Sequence, residues 1–445
     1  MAGSMLSFPR GFLWGTASAG YQVEGGNTTS DWTDWENEPG RIEAGQKSGR
    51  ACDWWAGERW KEDFDKAAAD GHRTHRLSVE WSRIEPEPGT WDMDALDHYR
   101  RMIVGLRDRG MEPMVTLHHF VNPRWVTERQ AWESPAIVPL FEAYTRKVVA
   151  VLKDHVTIWC TINEPNVFML QGWVGGIFPP GKKKLGLAME VARNILRAHA
   201  ACYRAIHDMQ PDAQVGLPVH FRPITAARPR AFDRWAARKQ FETFSTVFPD
   251  AIRTGRIRGI FGSTAVPEAK GTMDWFGLNY YTADVVTFDL RKPGELFGSR
   301  AFPPGAEVDE AGVYASYPQG LAWSLEWARR TLGLPIYITE NGFGDNADTM
   351  RPRYILSHLR EVWRHIQAGG DVRGYYHWSL IDNFEWERAW THRFGLYAMD
   401  IESLVRTPRK SARLFAEICK ADGISAETVS RYAPELMEGF FEDKA

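Results

Sequence analysis

The stretch Val156-Thr157-Ile158-Trp159-Cys160-Thr161-Ile162-Asn163-Glu164-Pro165 decides how the chain is read. Seven residues, most of them apolar or β-branched, end abruptly on an amide, a carboxylate and a proline. The run lacks the strict apolar/polar alternation of a half-exposed strand, so it predicts a strand buried on both faces, as in a parallel sheet. Seven further runs share this character: FLWGTA from Phe12, THRLSV from Thr74, MVTLHH from Met114, QVGLPVH from Gln214, DWFGLNYY from Asp274, LPIYITE from Leu334 and GYYHWSL from Gly374.

Between the runs the period changes. Leu96, Tyr99, Ile103 and Leu106 recur at helical spacing and stop before Gly110, and Phe141, Tyr144, Val148 and Leu152 repeat the pattern. Helical stretches are also predicted near Glu58–Ala69, Val191–Asp208, Leu321–Thr331 and Arg353–Ala368. Strand then helix, eight times at about 55 residues each (445/8), predicts an α/β protein: one (β/α)₈ TIM barrel with loop insertions, spanning residues 1–445 as a single catalytic domain. A doubly wound open sheet is the alternative, but no GxGxxG follows the first strand and no GxxxxGK[ST] loop is present. Met5 is expected to be the natural start, with residues 1–4 an added leader.

Composition narrows the function. Lys plus Arg number 54 against 57 for Asp plus Glu, a net charge of −3, which argues against a nucleic-acid partner. No apolar stretch approaches the roughly 18 residues of a membrane span, so no membrane partner is expected. Cys52, Cys160, Cys202 and Cys419 are scattered, without CxxC pairs; they read as reduced thiols, and with no secretory signal visible they predict a cytoplasmic protein. Trp is abundant at 20 residues, and indoles suit stacking on a sugar face, although most buried aromatics are simply core.

If the runs are barrel strands, chemistry belongs at their C-terminal ends. Those ends carry Gln22, Arg76, His119, Asn163 with Glu164, Asn279-Tyr280-Tyr281, Glu340, and Trp378 followed by Glu385 and Trp386. Glu164 and Glu340 lie 176 residues apart (340 − 164), yet strands four and seven open onto one cavity. Two carboxyls across a small cavity can cleave a glycosidic bond, one protonating the leaving oxygen while the other attacks the anomeric carbon or activates water. Two structural ion pairs would leave the same trace. His118 and His119 are adjacent, so on a strand they face opposite ways; with no third ligand at suitable spacing, neither a metal site nor a cofactor is expected.

FPRGFLWGTASAGYQVEG, HRLSVEWSRIEP from His75, TLHHFVNPRW from Thr116, TINEPNVF from Thr161, WFGLNYYT from Trp275, YITENGFG from Tyr337 and WSLIDNFEWERAWTHRFGL from Trp378 together carry a resemblance. Over nearly its whole length the chain resembles glycoside hydrolase family 1, the retaining β-glucosidase family. The resemblance implies Glu164 as acid/base and Glu340 as nucleophile. It implies Gln22, His119, Asn163, Glu385 and Trp386 as ligands of the nonreducing sugar's hydroxyls, and Trp378 as the platform beneath it. Tyr281 and Arg76 match groups that hold the nucleophile, and Asn279 a neighbouring support. A guanidinium and a phenol are expected to lower the nucleophile's pKa. Small β-glycosides and cello-oligosaccharides are the implied partners, with cellulose breakdown as the setting; oligomeric state is not implied.

The chain departs from the family pattern at Phe120, where an indole is usual, and at Ala389-Trp390, in place of Gly-Tyr. Trp173, in the GWVGG loop, is expected either to line the leaving-group subsite or to pack the loop. Three related activities fit less well. A 6-phospho-β-glycosidase resembles a pattern with Ser and a nearby Lys where Glu385 stands. A non-catalytic relative would lack a carboxylate, and a thioglucosidase would carry Gln at 164.

Overall fold

The computed structural model of the protein describes residues 4–259 and 262–442. Of the leader expected ahead of Met5, residues 1–3 lie outside the described residues. Eight strands form a closed, all-parallel barrel: β1 Leu13–Ala17, β2 Thr74–Ser78, β3 Glu112–His118, β4 Ile158–Ile162, β5 Gln214–His220, β6 Trp275–Tyr280, β7 Ile336–Asn341 and β8 Val372–Trp378. Each pairs with its sequence neighbours, and β8 closes on β1 with Tyr376 beside Gly15. Most residues of these strands are buried, because side chains on one face fill the barrel and those on the other meet the helices.

One principal helix follows each strand: α1 Trp60–Ala69, α2 Met93–Asp108, α3 Ile137–Leu152, α4 Leu185–Met209, α5 Val247–Thr254, α6 Pro318–Thr331, α7 Arg351–Gln367 and α8 Lys410–Ala421. In α2 the Asp92 carboxylate accepts from the Ala95 N–H at 2.9 Å. Leu96, Tyr99, Ile103 and Leu106 face inward, and the chain turns at Gly110 with φ of 73°. The periodicity therefore identifies the inner face correctly. The helices α5 and α8 were not anticipated. The first has only eight residues, and the second repeats its apolar positions between runs of Arg and Lys.

The loops at the C-terminal ends of the strands are the long ones. That after β5 carries a short strand, Ile224–Ala226, and a helix, Ala231–Phe241; that after β6 adds strands Asp284–Phe288 and Gly298–Ala301. These strands form a three-stranded sheet beside the barrel mouth, with Asp284–Phe288 in the centre. Two glycines let neighbouring backbones approach. A Cβ at Gly216 would fall 2.3 Å from the Trp275 ring, and one at Gly342 only 2.0 Å from the Trp378 carbonyl oxygen. The second contact locks the end of β7 against the end of β8, beside the site. Among the described residues, no helix is long and apolar enough to cross a membrane.

Candidate active site

Glu164 follows β4 after Asn163, in the left-handed conformation with φ of 42° and ψ of 58°. Its N–H donates to the Pro218 carbonyl of β5 (2.9 Å), and its carbonyl accepts the Phe168 N–H of the short helix Pro165–Leu170 (2.9 Å). A non-glycine residue held there costs on the order of 1–3 kcal/mol, so the surrounding bonds must impose it. Pro165 opens the helix, where its missing N–H costs nothing. On the carboxyl, Oε1 accepts from Asn279 Nδ2 at 2.9 Å and lies 3.4 Å from His220 Nδ1.

Glu340, in β7, is neighbour in register to Asn279 of β6. Arg76 Nη1 donates to its Oε1 at 2.5 Å and Tyr281 Oη to its Oε2 at 2.6 Å. A chain of bonds links the two carboxylates. Arg76 Nη2 donates to Asn163 Oδ1 (2.5 Å), which also accepts from Asn279 Nδ2 (3.1 Å), while Thr339 Oγ1 donates to Asn279 Oδ1 (2.6 Å). Every member is buried, so each donor holds its partner without competition from water.

Burial raises the Glu340 carboxyl to about 7; Arg76 and Tyr281 pull it down, and the charge of Glu164 pushes it further up. The sequence-based expectation of a depressed nucleophile is therefore half right. Both partners are in place and act in the expected direction, but loss of water from a fully enclosed anion is the larger effect. Burial, with the charges of Glu340 and Glu164, keeps the Tyr281 phenol protonated well above its ordinary value, so it remains a donor.

Both carboxylates line one cavity of about 330 Å³, with His119, Phe120, Asn163, Tyr281, Trp378, Glu385 and Trp386 among its walls. The volume admits one pyranose and part of a second group. His119 accepts from Asn163 Nδ2 at 3.1 Å, a bond that assigns the Nδ1–H tautomer. Burial and the Arg76 charge push it well below the ordinary histidine value, so it is neutral. His118 points the other way, toward Asn122 Oδ1 at 3.0 Å, as strand alternation requires. The Trp378 and His119 rings lie nearly parallel, at 21°, with centroids 6.1 Å apart. Phe120, also with positive φ, meets Trp386 edge-on at 5.2 Å and keeps an apolar wall where an indole donor is lost.

Gln22, Arg76 and Asn279 are buried against the carboxylates of the site. Gln22 is fully buried; its Nε2 donates to Asn383 Oδ1 (3.0 Å), the Phe384 carbonyl (2.8 Å) and Glu385 Oε2 (3.2 Å). Glu385 is raised to about 8 by burial and by the charges of Glu387 and Glu340. Trp173 does not line the leaving-group side. The π-helical turn Gln171–Gly175 carries it to Glu133, where Nε1 donates to Oε1 at 3.0 Å and the ring meets Phe168 edge-on at 5.3 Å. Loop packing is its place. Ala389 and Trp390 also lie off the wall: the Ala389 carbonyl accepts from the Glu385 N–H (2.6 Å), and Trp390 Nε1 donates to the Lys47 carbonyl (3.0 Å).

Sequence reasoning missed the end of β5. His220 touches Glu164, and Arg222 two residues later joins the cavity wall, with Arg300, Phe244 and Tyr314 from the loops. The signal was the HFR at the end of QVGLPVHFR, polar residues at a strand end like the others.

A carboxylate pair lining a sugar-sized cavity at the mouth of a parallel barrel is the equipment of a glycoside hydrolase. The family model for glycosyl hydrolase family 1 matches residues 4–424. A 1,4-beta-D-glucan glucohydrolase of Thermotoga neapolitana is 32% identical over 451 residues, covering 95% of this chain and 100% of that protein. The solved beta-glycosidase from Pyrococcus horikoshii superposes with a TM-score of 0.90 at 36% identity, covering 96% of this chain and 98% of the other. The beta-glucosidase from Thermotoga maritima in complex with glucoimidazole gives 0.89 at 29% identity, covering 94% and 100%. The chain belongs to glycosyl hydrolase family 1. It is a β-glucosidase-type O-glycoside hydrolase, a retaining exo-β-glycosidase.

Proposed function

We propose that Glu340 is the nucleophile and Glu164 the acid/base, and that residues 1–445 act as one catalytic barrel. The observation that carries the reading is the asymmetry of the two carboxyls. Glu340 has both oxygens engaged, by a guanidinium and a phenol, in the geometry of a held anion. Among the described residues, Glu164 accepts a hydrogen bond at Oε1, from Asn279, with His220 Nδ1 3.4 Å from the same oxygen, which leaves Oε2 free to pass a proton to the leaving oxygen.

In the first step a Glu340 oxygen bonds the anomeric carbon as the glycosidic C–O bond breaks, and the Glu164 proton passes to the leaving oxygen. The product is a glycosyl ester and a free alcohol. Esterification removes the Glu340 charge, and Glu164, now a carboxylate, takes a proton from water. As that proton moves to Glu164, the water oxygen bonds the anomeric carbon and the ester bond breaks, which frees the Glu340 carboxylate and leaves Glu164 protonated as at the start. Two inversions give retention.

The glycone is read by polar groups. Gln22 Oε1 and His119 Nδ1 are buried without a partner among the described residues, and a sugar hydroxyl pairs such atoms favourably. Neutral His119, Asn163 and Glu385 then sort sugars by hydroxyl position, with β-glucosides favoured and galactosides and fucosides also accepted. Small β-glycosides and cello-oligosaccharides are the proposed substrates, in cellulose breakdown, and the four buried free thiols favour a cytoplasmic setting. Glu340→Gly tests the assignment: it should abolish hydrolysis of an aryl glucoside, and added azide should yield the α-glycosyl azide. Unimpaired hydrolysis by the variant would end the nucleophile assignment.

A further inference from the structure

Glu164 protonates the leaving oxygen, so the leaving group exits on the side of the cavity where Glu164 and His220 stand. That wall is basic. Arg222 pairs with Asp284 at 2.7 Å, and Arg300 Nη1 lies 3.8 Å from the same carboxylate, which is buried at 2% exposure. Arg300 Nε donates to Gln240 Oε1 at 2.7 Å. Gln240 is itself fixed by donating Nε2 to the Glu295 and Gly298 carbonyls (2.6 and 2.8 Å). The guanidinium of Arg300 stands 5.8 Å from the Phe244 ring centroid. Two guanidiniums thus share one carboxylate, and the surplus positive charge is held in place on the cavity wall.

A second observation points the same way. His220 Nε2, on the same wall and 6% exposed as a residue, has no hydrogen-bond partner among the described residues. Burial pulls Arg300 below its ordinary value; Asp284 and Glu295 resist, the latter already paired with Lys292 at 3.0 Å, and the like charge of Arg222 adds to the fall. An anion on this wall would relieve both strains. Across the mouth Arg388 lies beside Glu387, so that side offers no comparable excess.

Resting on the retaining-glycosidase reading, we infer that Arg222 and Arg300 form a subsite for an anionic leaving group, selecting β-glycosides whose aglycone carries a carboxylate. The neutral apolar side chains Phe244 and Phe178 on the cavity wall suit the body of such an aglycone, an aromatic acid. The acidic groups at the sugar end disfavour the reversed pose.

The test compares two β-D-glucosides, 3-carboxyphenyl and 3-carbamoylphenyl, which differ chiefly in charge. The carboxylate makes the phenol a slightly poorer leaving group, so intrinsic reactivity works against the expected result. In the wild type the carboxylate should lead in kcat/KM by about tenfold at low salt, one charge-assisted contact. The lead should shrink several-fold near 1 M salt, where the Debye length is about 3 Å. Arg300→Gln should bring the ratio close to one, and Arg222→Gln should lower it too. Because the ratio is taken within one preparation, partial misfolding of a variant cancels. A wild-type ratio of one or less, or an unchanged ratio in Arg300→Gln, overturns the inference. If neither glucoside is cleaved, the glycosidase reading fails first.

Discussion

Replacing Tyr281 by Phe tests the electrostatics of the nucleophile. The phenol donates to Glu340 Oε2 at 2.6 Å inside a buried pocket, while its ring stacks on Tyr314 at 5.1 Å and meets Phe394 edge-on. Phenylalanine keeps the ring contacts and removes only the donor. A hydrogen bond to a buried charge contributes about 1.5–3 kcal/mol, and one pKa unit corresponds to about 1.36 kcal/mol, so Glu340 should rise by about 1–2 units. The attacking form is the carboxylate, whose value in the wild type is about 7. The acid limb of kcat/KM should therefore move from about 7 to about 8–9. At pH 6, below both limbs, the variant should lose a further ~10–100-fold beyond its loss on the plateau. A 2,4-dinitrophenyl glucoside suits the assay because its leaving group needs no acid, which removes the basic limb. An acid limb that stays in place, or moves down, would refute the pairing of Tyr281 with the attacking carboxylate.

Other substitutions separate the remaining roles. Glu164→Ala should slow an alkyl glucoside by ~10²–10⁴ in the glycosylation step and a dinitrophenyl glucoside far less; equal losses would refute the acid role. Glu385→Gln should alter stability with a definite sign. Because Glu385 is raised from 4.5 to about 8, the protonated side chain favours the fold below pH about 4.5. That contribution is lost as pH rises through about 8, so the glutamine variant should gain on the wild type between pH 5.5 and 9. Glu385 is only partly buried, which trims the gain to about 2 kcal/mol, readable from urea midpoints at the two pH values. A gain that is equal at both pH values would contradict the assignment.

The barrel was legible because its strands are buried on both faces and cannot hide in polar surface. All eight runs named from sequence overlap the observed strands, and the rim read from their ends contains both carboxylates. Two kinds of feature were not legible. Trp173 stands in a loop whose path depends on a π-helical turn that leaves no local signature, and Arg300 reaches the cavity from an inserted strand far along the chain. The balance between burial and Arg76 on Glu340 was also out of reach, because it depends on three-dimensional enclosure rather than on which residues are neighbours.

Reaction with 2-deoxy-2-fluoro-β-D-glucosyl fluoride, followed by proteolysis and mass spectrometry, bears most directly on the catalytic assignment. The fluorine slows the second step, so the glycosyl ester accumulates. The label should sit on Glu340, within the Tyr337–Gly344 segment, and disappear in Glu340→Gly. A label on Glu164 or Glu385, or turnover without any ester, would contradict the account.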